Sequence, residues 1–211
     1  MQPDQLLAIL RAKRAMAVLR TSDTDAARLA MNAAIEGGMR VVEFTLSIPG
    51  ALQLIGEFRR LHPEVVVGAG TVLTAEDAKD AVEAGAQFLV APTFHEPMVR
   101  TAAALGVASI PGCATPTEMW QAHRAGAPLQ KLFPEVGTGP TWVKQTLGPM
   151  PFLKIVPTAG VTLQNAPGYL QAGAFAVGFV NSLFDPDDIR RGHFKEIRER
   201  AAWMCESVAS A

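Results

Sequence analysis

Lys131 lies in the apolar run Leu129-Gln130-Lys131-Leu132-Phe133-Pro134, which has the composition of a buried strand. An ammonium held in such a strand loses hydration, and that loss favours the neutral amine. A neutral lysine attacks carbonyl carbon to form a Schiff base, so the residue points to carbonyl chemistry. In Val41-Val42-Glu43-Phe44-Thr45-Leu46, strand alternation turns Val42, Phe44 and Leu46 toward covering helices and Val41, Glu43 and Thr45 toward an interior. If Leu129, Lys131 and Phe133 face that same interior, Glu43 and Lys131 share a cavity, and an acid beside an amine suits proton transfer during imine chemistry. A buried lysine and glutamate also serve as a structural ion pair, and pattern alone leaves both readings open.

Other residues compete for roles. Lys154 sits among Phe152, Leu153, Ile155 and Val156, but four residues ahead of Thr158, near the beginning of its strand and away from the end where chemistry is expected. Arg20 closes Ala17-Val18-Leu19-Arg20, where a guanidinium can clamp a substrate carboxylate; a surface position is the alternative. Thr71 follows Gly68-Ala69-Gly70, glycines that permit either close approach to a ligand or a tight turn. His62, His95, His123 and His193 show no metal spacing and read as surface or helix-cap residues, although His95 follows a strand end near the expected cavity mouth. Cys113 and Cys205 lie far apart without a CxxC spacing and are expected to be reduced and structural, with Cys113 ending a strand.

These side chains require a scaffold that repeats. β-rich runs begin near Ala15, Arg40, Val65, Phe88, Val107, Leu129, Phe152 and Ala174, spaced roughly 19 to 25 residues apart, the length of one strand, one helix and two short loops. Helix starts are marked by Ser22-Asp23-Thr24, Thr74, Thr115-Pro116-Thr117-Glu118, Thr162 and Asp185-Pro186, and stops by Gly37-Gly38, Gly85, Gly106, Gly126 and Gly173. Strict alternation implies a parallel sheet, and eight units predict an α/β fold of the (β/α)8 barrel type, a single domain over residues 1–211. Leu6, Leu7, Ile9 and Leu10 predict an extra N-terminal helix over Pro3–Ala12 that caps the barrel floor. The strand ends that would line an active site are polar or rich in glycine and proline: Glu43 to Thr45, Gly68 to Thr71, Ala91-Pro92-Thr93, Pro111-Gly112, Lys131 to Pro134, Pro157 to Gly160 and Gly178 to Asn181.

Composition narrows the function classes. The 211 residues are 49% hydrophobic and 18% charged, below the roughly 25% charged of an average globular chain, so a sizeable core is available. A formal net charge of -1 gives no electrostatic case for nucleic acid. No run of about 18 uninterrupted apolar residues is present to span a membrane. Met1-Gln2-Pro3-Asp4-Gln5 has no basic segment leading into an apolar one, so no signal peptide is read and a cytoplasmic protein is expected.

Taken in order, these motifs resemble the class I 2-keto-3-deoxy-6-phosphogluconate (KDPG) and 4-hydroxy-2-oxoglutarate (KHG) aldolases. The resemblance runs from about Ala15 to Phe184 and rests on Ala17 to Arg20, Val42 to Thr45, Gly68-Ala69-Gly70-Thr71-Val72-Leu73, Pro111-Gly112 with Thr115 to Glu118, and Lys131-Leu132-Phe133-Pro134. It implies that Lys131 forms the Schiff base with a keto acid, that Glu43 shuttles protons, and that Arg20 and Thr71 hold the pyruvyl carboxylate. It further implies that Pro92 and Phe133 shape and dry the pocket, and that Thr158, Ala159, Gly160, Gly178 and Asn181 meet the phosphate of a 2-keto-3-deoxy sugar acid. No metal or organic cofactor is required by that chemistry, and the family's homotrimer is the expected assembly. The chain departs from the family's pattern in Pro157-Thr158-Ala159-Gly160, where a second glycine is usual, and in Gly178-Phe179-Val180-Asn181-Ser182, where bulky Val180 replaces a small residue. Ser47 stands where some members carry arginine, leaving the carboxylate to Arg20, and Thr93 replaces the usual residue after the fourth-strand proline. Asp185, Asp187 and Asp188, at a helix start, are expected to serve the helix dipole rather than face the phosphate. An unphosphorylated substrate such as 4-hydroxy-2-oxoglutarate, and a non-catalytic barrel that binds a keto acid, are the alternatives.

Overall fold

Strand and helix alternate along the chain because short β-branched runs are separated by amphipathic, capped segments. The computed structural model describes residues 1–211. In order the elements are α1 (Pro3–Lys13), β1 (Ala15–Leu19), α2 (Thr24–Glu36), β2 (Val41–Thr45), α3 (Ala51–Leu61), β3 (Val66–Gly70), α4 (Ala75–Glu83), β4 (Phe88–Val90), α5 (Glu96–Ala104) and β5 (Ala108–Ile110). They continue as β6 (Gly112–Cys113), α6 (Pro116–Arg124), β7 (Gln130–Leu132), α7 (Pro140–Leu147), β8 (Ile155–Pro157), α8 (Ala166–Gln171), β9 (Val177–Phe179), α9 (Pro186–Arg191) and α10 (Phe194–Ala209).

All strand pairs are parallel, in a six-stranded sheet ordered β5-β4-β3-β2-β1-β9 and a three-stranded sheet ordered β6-β7-β8. The eight uninterrupted strands expected of a barrel are therefore corrected to nine segments in two sheets. Pro111, which has no N–H to donate, interrupts the fifth strand between β5 and β6, although its carbonyl accepts from the Lys131 N–H at 2.9 Å. At the other junction a parallel bridge joins Thr158 to Gly178, and Phe175 N–H donates to Ile155 O at 2.8 Å.

The strand near Phe152 begins later than expected. Pro149 and Pro151 precede the segment, Leu153 N–H closes a turn onto Met150 O, and Phe152 is 43% exposed beside Trp120 and His123. Caps follow the expected residues at Asp23, Thr74, Thr115 and Asp185, each worth about 1 kcal/mol. Thr162 instead forms a turn, its N–H donating to Asn165 Oδ1, and α8 begins only at Ala166.

Both faces of the strands are buried, as parallel sheets require. Val42 and Phe44 pack outward with the helices, whereas Met16, Val18, Val41, Val66, Phe88 and Val156 form an inner cluster. Leu6 and Leu10 of α1 belong to that inner cluster and are fully buried, so the N-terminal helix plugs one end of the interior as expected. The other end is left to polar side chains.

Candidate active site

Strand alternation carries the chemistry to the open end. On β1 the inner residues Met16 and Val18 lead to Arg20; on β2 Val41 leads to Glu43 and Thr45; beside β7 Leu129 leads to Lys131 and Phe133. Arg20, Glu43, Thr45, Lys131 and Phe133 line one cavity of about 530 Å³. Lys131 is 8% exposed and Glu43 1% exposed. Lys131 Nζ lies 4.9 Å from the centre of the Phe133 ring. Neither buried oxygen of the Glu43 carboxyl has a hydrogen-bond partner.

A buried carboxyl with both oxygens open is rare in folded proteins, where such groups are normally satisfied. Burial dominates at both residues. It pushes the Lys131 amine below its ordinary range, an effect opposed by Glu43 and reinforced by the Arg20 charge. It pushes the Glu43 carboxyl above the ordinary carboxylate range, opposed by Lys131 and Arg20. Burial thus works against the charged form of each, and no hydrogen-bonded ion pair joins Lys131 to the open Glu43 oxygens.

The glycines before Thr71 have a different use from the one expected. A Cβ on Gly68 would fall 2.4 Å from the Phe88 ring, and one on Gly70 would fall 1.7 Å from Glu43 Oε1. They make room for side chains, and Gly70 in particular gives Glu43 its place. Gly70→Ala is expected to displace Glu43 and lower activity by at least tenfold, with only about 1–3 kcal/mol lost from stability; parallel rate and melting measurements check this.

Residues 6–200 match the family described as KDPG and KHG aldolase. The chain belongs to that family. It is 40% identical over 147 residues to the 2-dehydro-3-deoxy-phosphogluconate aldolase of Treponema pallidum, covering 69% of this chain and 70% of the relative. It is 32% identical over 171 residues to the 2-dehydro-3-deoxy-6-phosphogalactonate aldolase of Escherichia coli, covering 80% and 83%. Among solved structures, the KDPG aldolase of Legionella pneumophila, with pyruvate captured at low pH as a covalent carbinolamine intermediate, superposes with a TM-score of 0.83 at 28% identity, covering 93% of this chain and 96% of that one.

Within this aldolase family fold, the loops after β8 and β9 complete the cavity. Thr158, Ala159, Gly160 and Asn181 line it, together with Val161, Thr162, Val180 and Ser182. Ser182 Oγ donates to Val161 O at 2.6 Å and ties the two loops together. Strand alternation turns Thr45 inward, and the same alternation counted back from Arg20 reaches Val18, which the sequence reading did not single out; the loop residues follow no periodicity and carry no such signal.

Three expected residues stand outside the lining. Thr71 takes a left-handed turn, φ 59°, as the chain leaves β3. Pro92 has its carbonyl packed on Gly112, where a Cβ would fall 2.1 Å from Pro92 O. Gly178 is covered by the Thr158 side chain, whose Oγ1 would lie 2.7 Å from an added Cβ. His95 is the exposed N-cap of α5, Lys154 precedes β8 with its N–H donating to Gln130 Oε1, and neither lines the cavity. Cys113 is buried, with its thiol pushed up to about 12 by burial and, secondarily, by Glu118. No three His, Cys, Asp or Glu side chains are grouped to hold a metal ion. Asp185 caps α9, while Asp187 pairs with Arg190 and Asp188 with Arg200, and none of the three lines the cavity.

Proposed function

We propose that this chain is a Schiff-base aldolase that cleaves a 2-keto-3-deoxy sugar acid to pyruvate and an aldehyde, without a metal or organic cofactor. The observation that carries the reading is the shared cavity of Lys131 and Glu43, each biased toward its uncharged form. The neutral Lys131 amine adds to the C2 ketone of the substrate, and Glu43 protonates the departing hydroxyl so that water leaves and an iminium remains. That iminium accepts the electron pair of the breaking C3–C4 bond. Glu43, now a carboxylate, takes the proton of the C4 hydroxyl through a water, and the aldehyde departs. Protonation of the enamine at C3 and addition of water then release pyruvate and the amine. Arg20, in no ion pair of its own, is suited to the substrate carboxylate, and Phe133 keeps the amine dry.

The aldehyde end of the substrate is read as phosphorylated, with glyceraldehyde 3-phosphate as product. Support comes from the backbone N–H groups of Gly160, Val161, Asn181 and Ser182, which donate to no acceptor within the protein and belong to cavity-lining residues. One observation favours the unphosphorylated alternative, such as 4-hydroxy-2-oxoglutarate: Arg20 and Lys131 are the only cations lining the cavity, and neither belongs to these loops. Cleavage of the two acids separates the readings. An advantage of tenfold or more in kcat/KM for the phosphorylated acid is expected, and parity would remove the phosphate site.

The scaffold of this chemistry we take to be a single (β/α)8 barrel over residues 1–211, closed through Pro111 and the Thr158–Gly178 bridge. A homotrimer is the assembly implied by the family resemblance, and we take the cytoplasm as its compartment. Borohydride reduction in the presence of pyruvate tests the central claim: the native chain should gain the mass of one reduced pyruvate adduct on Lys131, and absence of any adduct would leave a barrel that merely binds keto acids.

A further inference from the structure

We propose that Glu135 is a specificity residue that weakens binding at the phosphate end of the cavity. The proposal rests on the aldolase reading for its substrate, but the contact that motivates it is independent of any reaction. Glu135 follows Phe133-Pro134 at the end of β7, and its carboxylate lies directly on Gly160: a Cβ built there would fall 2.0 Å from Oε2 and 3.0 Å from Oε1. Gly160 is part of the cavity wall. The loops that offer N–H groups to an anion therefore have a carboxylate resting on one of them.

Nothing in the protein neutralises that carboxylate. Glu135 is exposed and makes neither an ion pair nor a hydrogen bond, unlike Asp187 and Asp188 nearby in sequence to the other loop. Its field reaches the buried Tyr169 hydroxyl, whose proton is held more tightly by burial first and by Glu135 second. A phosphate seated on the Gly160 and Val161 N–H groups would stand within a few ångströms of it, where two like charges at the protein surface repel appreciably and where salt screens the repulsion. The cradle and the carboxylate thus act in opposition. The first attracts a phosphate, and the second reduces its advantage over an aldehyde end carrying only a hydroxyl.

The experiment uses the full chain with Glu135→Gln and Glu135→Lys, both exposed changes of similar length. Binding of glycerol 3-phosphate, a non-reacting analogue of the aldehyde product, is measured by calorimetry at low and high salt, alongside pyruvate binding. Affinity for glycerol 3-phosphate should rise about tenfold in Glu135→Gln, and further in Glu135→Lys, with the differences shrinking as salt rises and pyruvate affinity following neither trend. Rates of pyruvate addition to glyceraldehyde 3-phosphate relative to glyceraldehyde should rise in the same order. Unchanged glycerol 3-phosphate binding across the series, or an equal gain for pyruvate, overturns the proposal. Because glycerol 3-phosphate binding needs no turnover, a native chain that forms no pyruvate adduct would defeat the aldolase reading while the binding series still decides the role of Glu135.

Discussion

Lys131→Ala should abolish both turnover and the borohydride-trapped pyruvate adduct, with a rate loss on the order of a thousandfold or more, while leaving the protein at least as stable as before. The kinetic half follows from removing the only amine in the cavity: no iminium means no acceptor for the electrons of the C3–C4 bond. The stability half follows from desolvation. Nζ has Phe133 beside it and no carboxylate bonded to it, so truncation breaks no ion pair and removes a group whose charged form is disfavoured by burial. Mass spectrometry after reduction and a thermal melt test the two halves together. An adduct that persists in the variant would move the chemistry to another lysine, and a large drop in Tm would restore a structural role to Lys131.

The second large effect is expected from Glu43→Gln, which should slow turnover by roughly a hundredfold to ten-thousandfold while pyruvate trapping remains partly intact. Gln keeps the shape in the space left by Gly70 but can neither give up nor accept the catalytic proton. The pH profile carries the sharper test. In the native chain Glu43 holds its proton above the ordinary carboxylate range and Lys131 sheds its proton below the ordinary amine range, so the two titrate as a coupled pair. kcat/KM should rise with pH as the doubly protonated pair loses its first proton and fall as it loses the second. In Glu43→Gln the alkaline fall should vanish. The acidic limb should stay in place or move slightly to higher pH, because Glu43 is already protonated and uncharged in the species that loses the first proton. A variant with the native bell and the native rate would take Glu43 out of the reaction.

Much of this site is written in strand periodicity. A residue's parity on a strand buried on both faces decides whether it meets the helices or the interior, so Glu43 and Thr45 on β2, and Leu129, Lys131 and Phe133 along β7, were legible from alternation with apolar neighbours. β8 starts later than the apolar pattern predicts for the same reason that periodicity works elsewhere: Phe152 and Leu153 are apolar, but the two prolines just before Phe152 disfavour the ladder, and Phe152 stays on the surface. The glycines of Gly68-Ala69-Gly70 carried a signal whose meaning was ambiguous. Only the neighbouring strands show that the space they leave is filled by Phe88 and Glu43 rather than by a ligand.

By itself the sequence determined the alternation of strands and helices, the N-terminal plug, the buried lysine and the face on which the buried glutamate stands, because each depends on local spacing and on burial of adjacent side chains. Tertiary structure decided which strand ends converge. It brought Arg20, Glu43 and Lys131, more than a hundred residues apart in sequence at their extremes, around one cavity whose burial pushes one pKa up and another down. It also left Thr71, Pro92 and Gly178 outside the cavity lining and laid Glu135 on Gly160. These outcomes belong to the packing of distant backbone segments, which no local pattern encodes, since desolvation and charge act through space rather than along the chain.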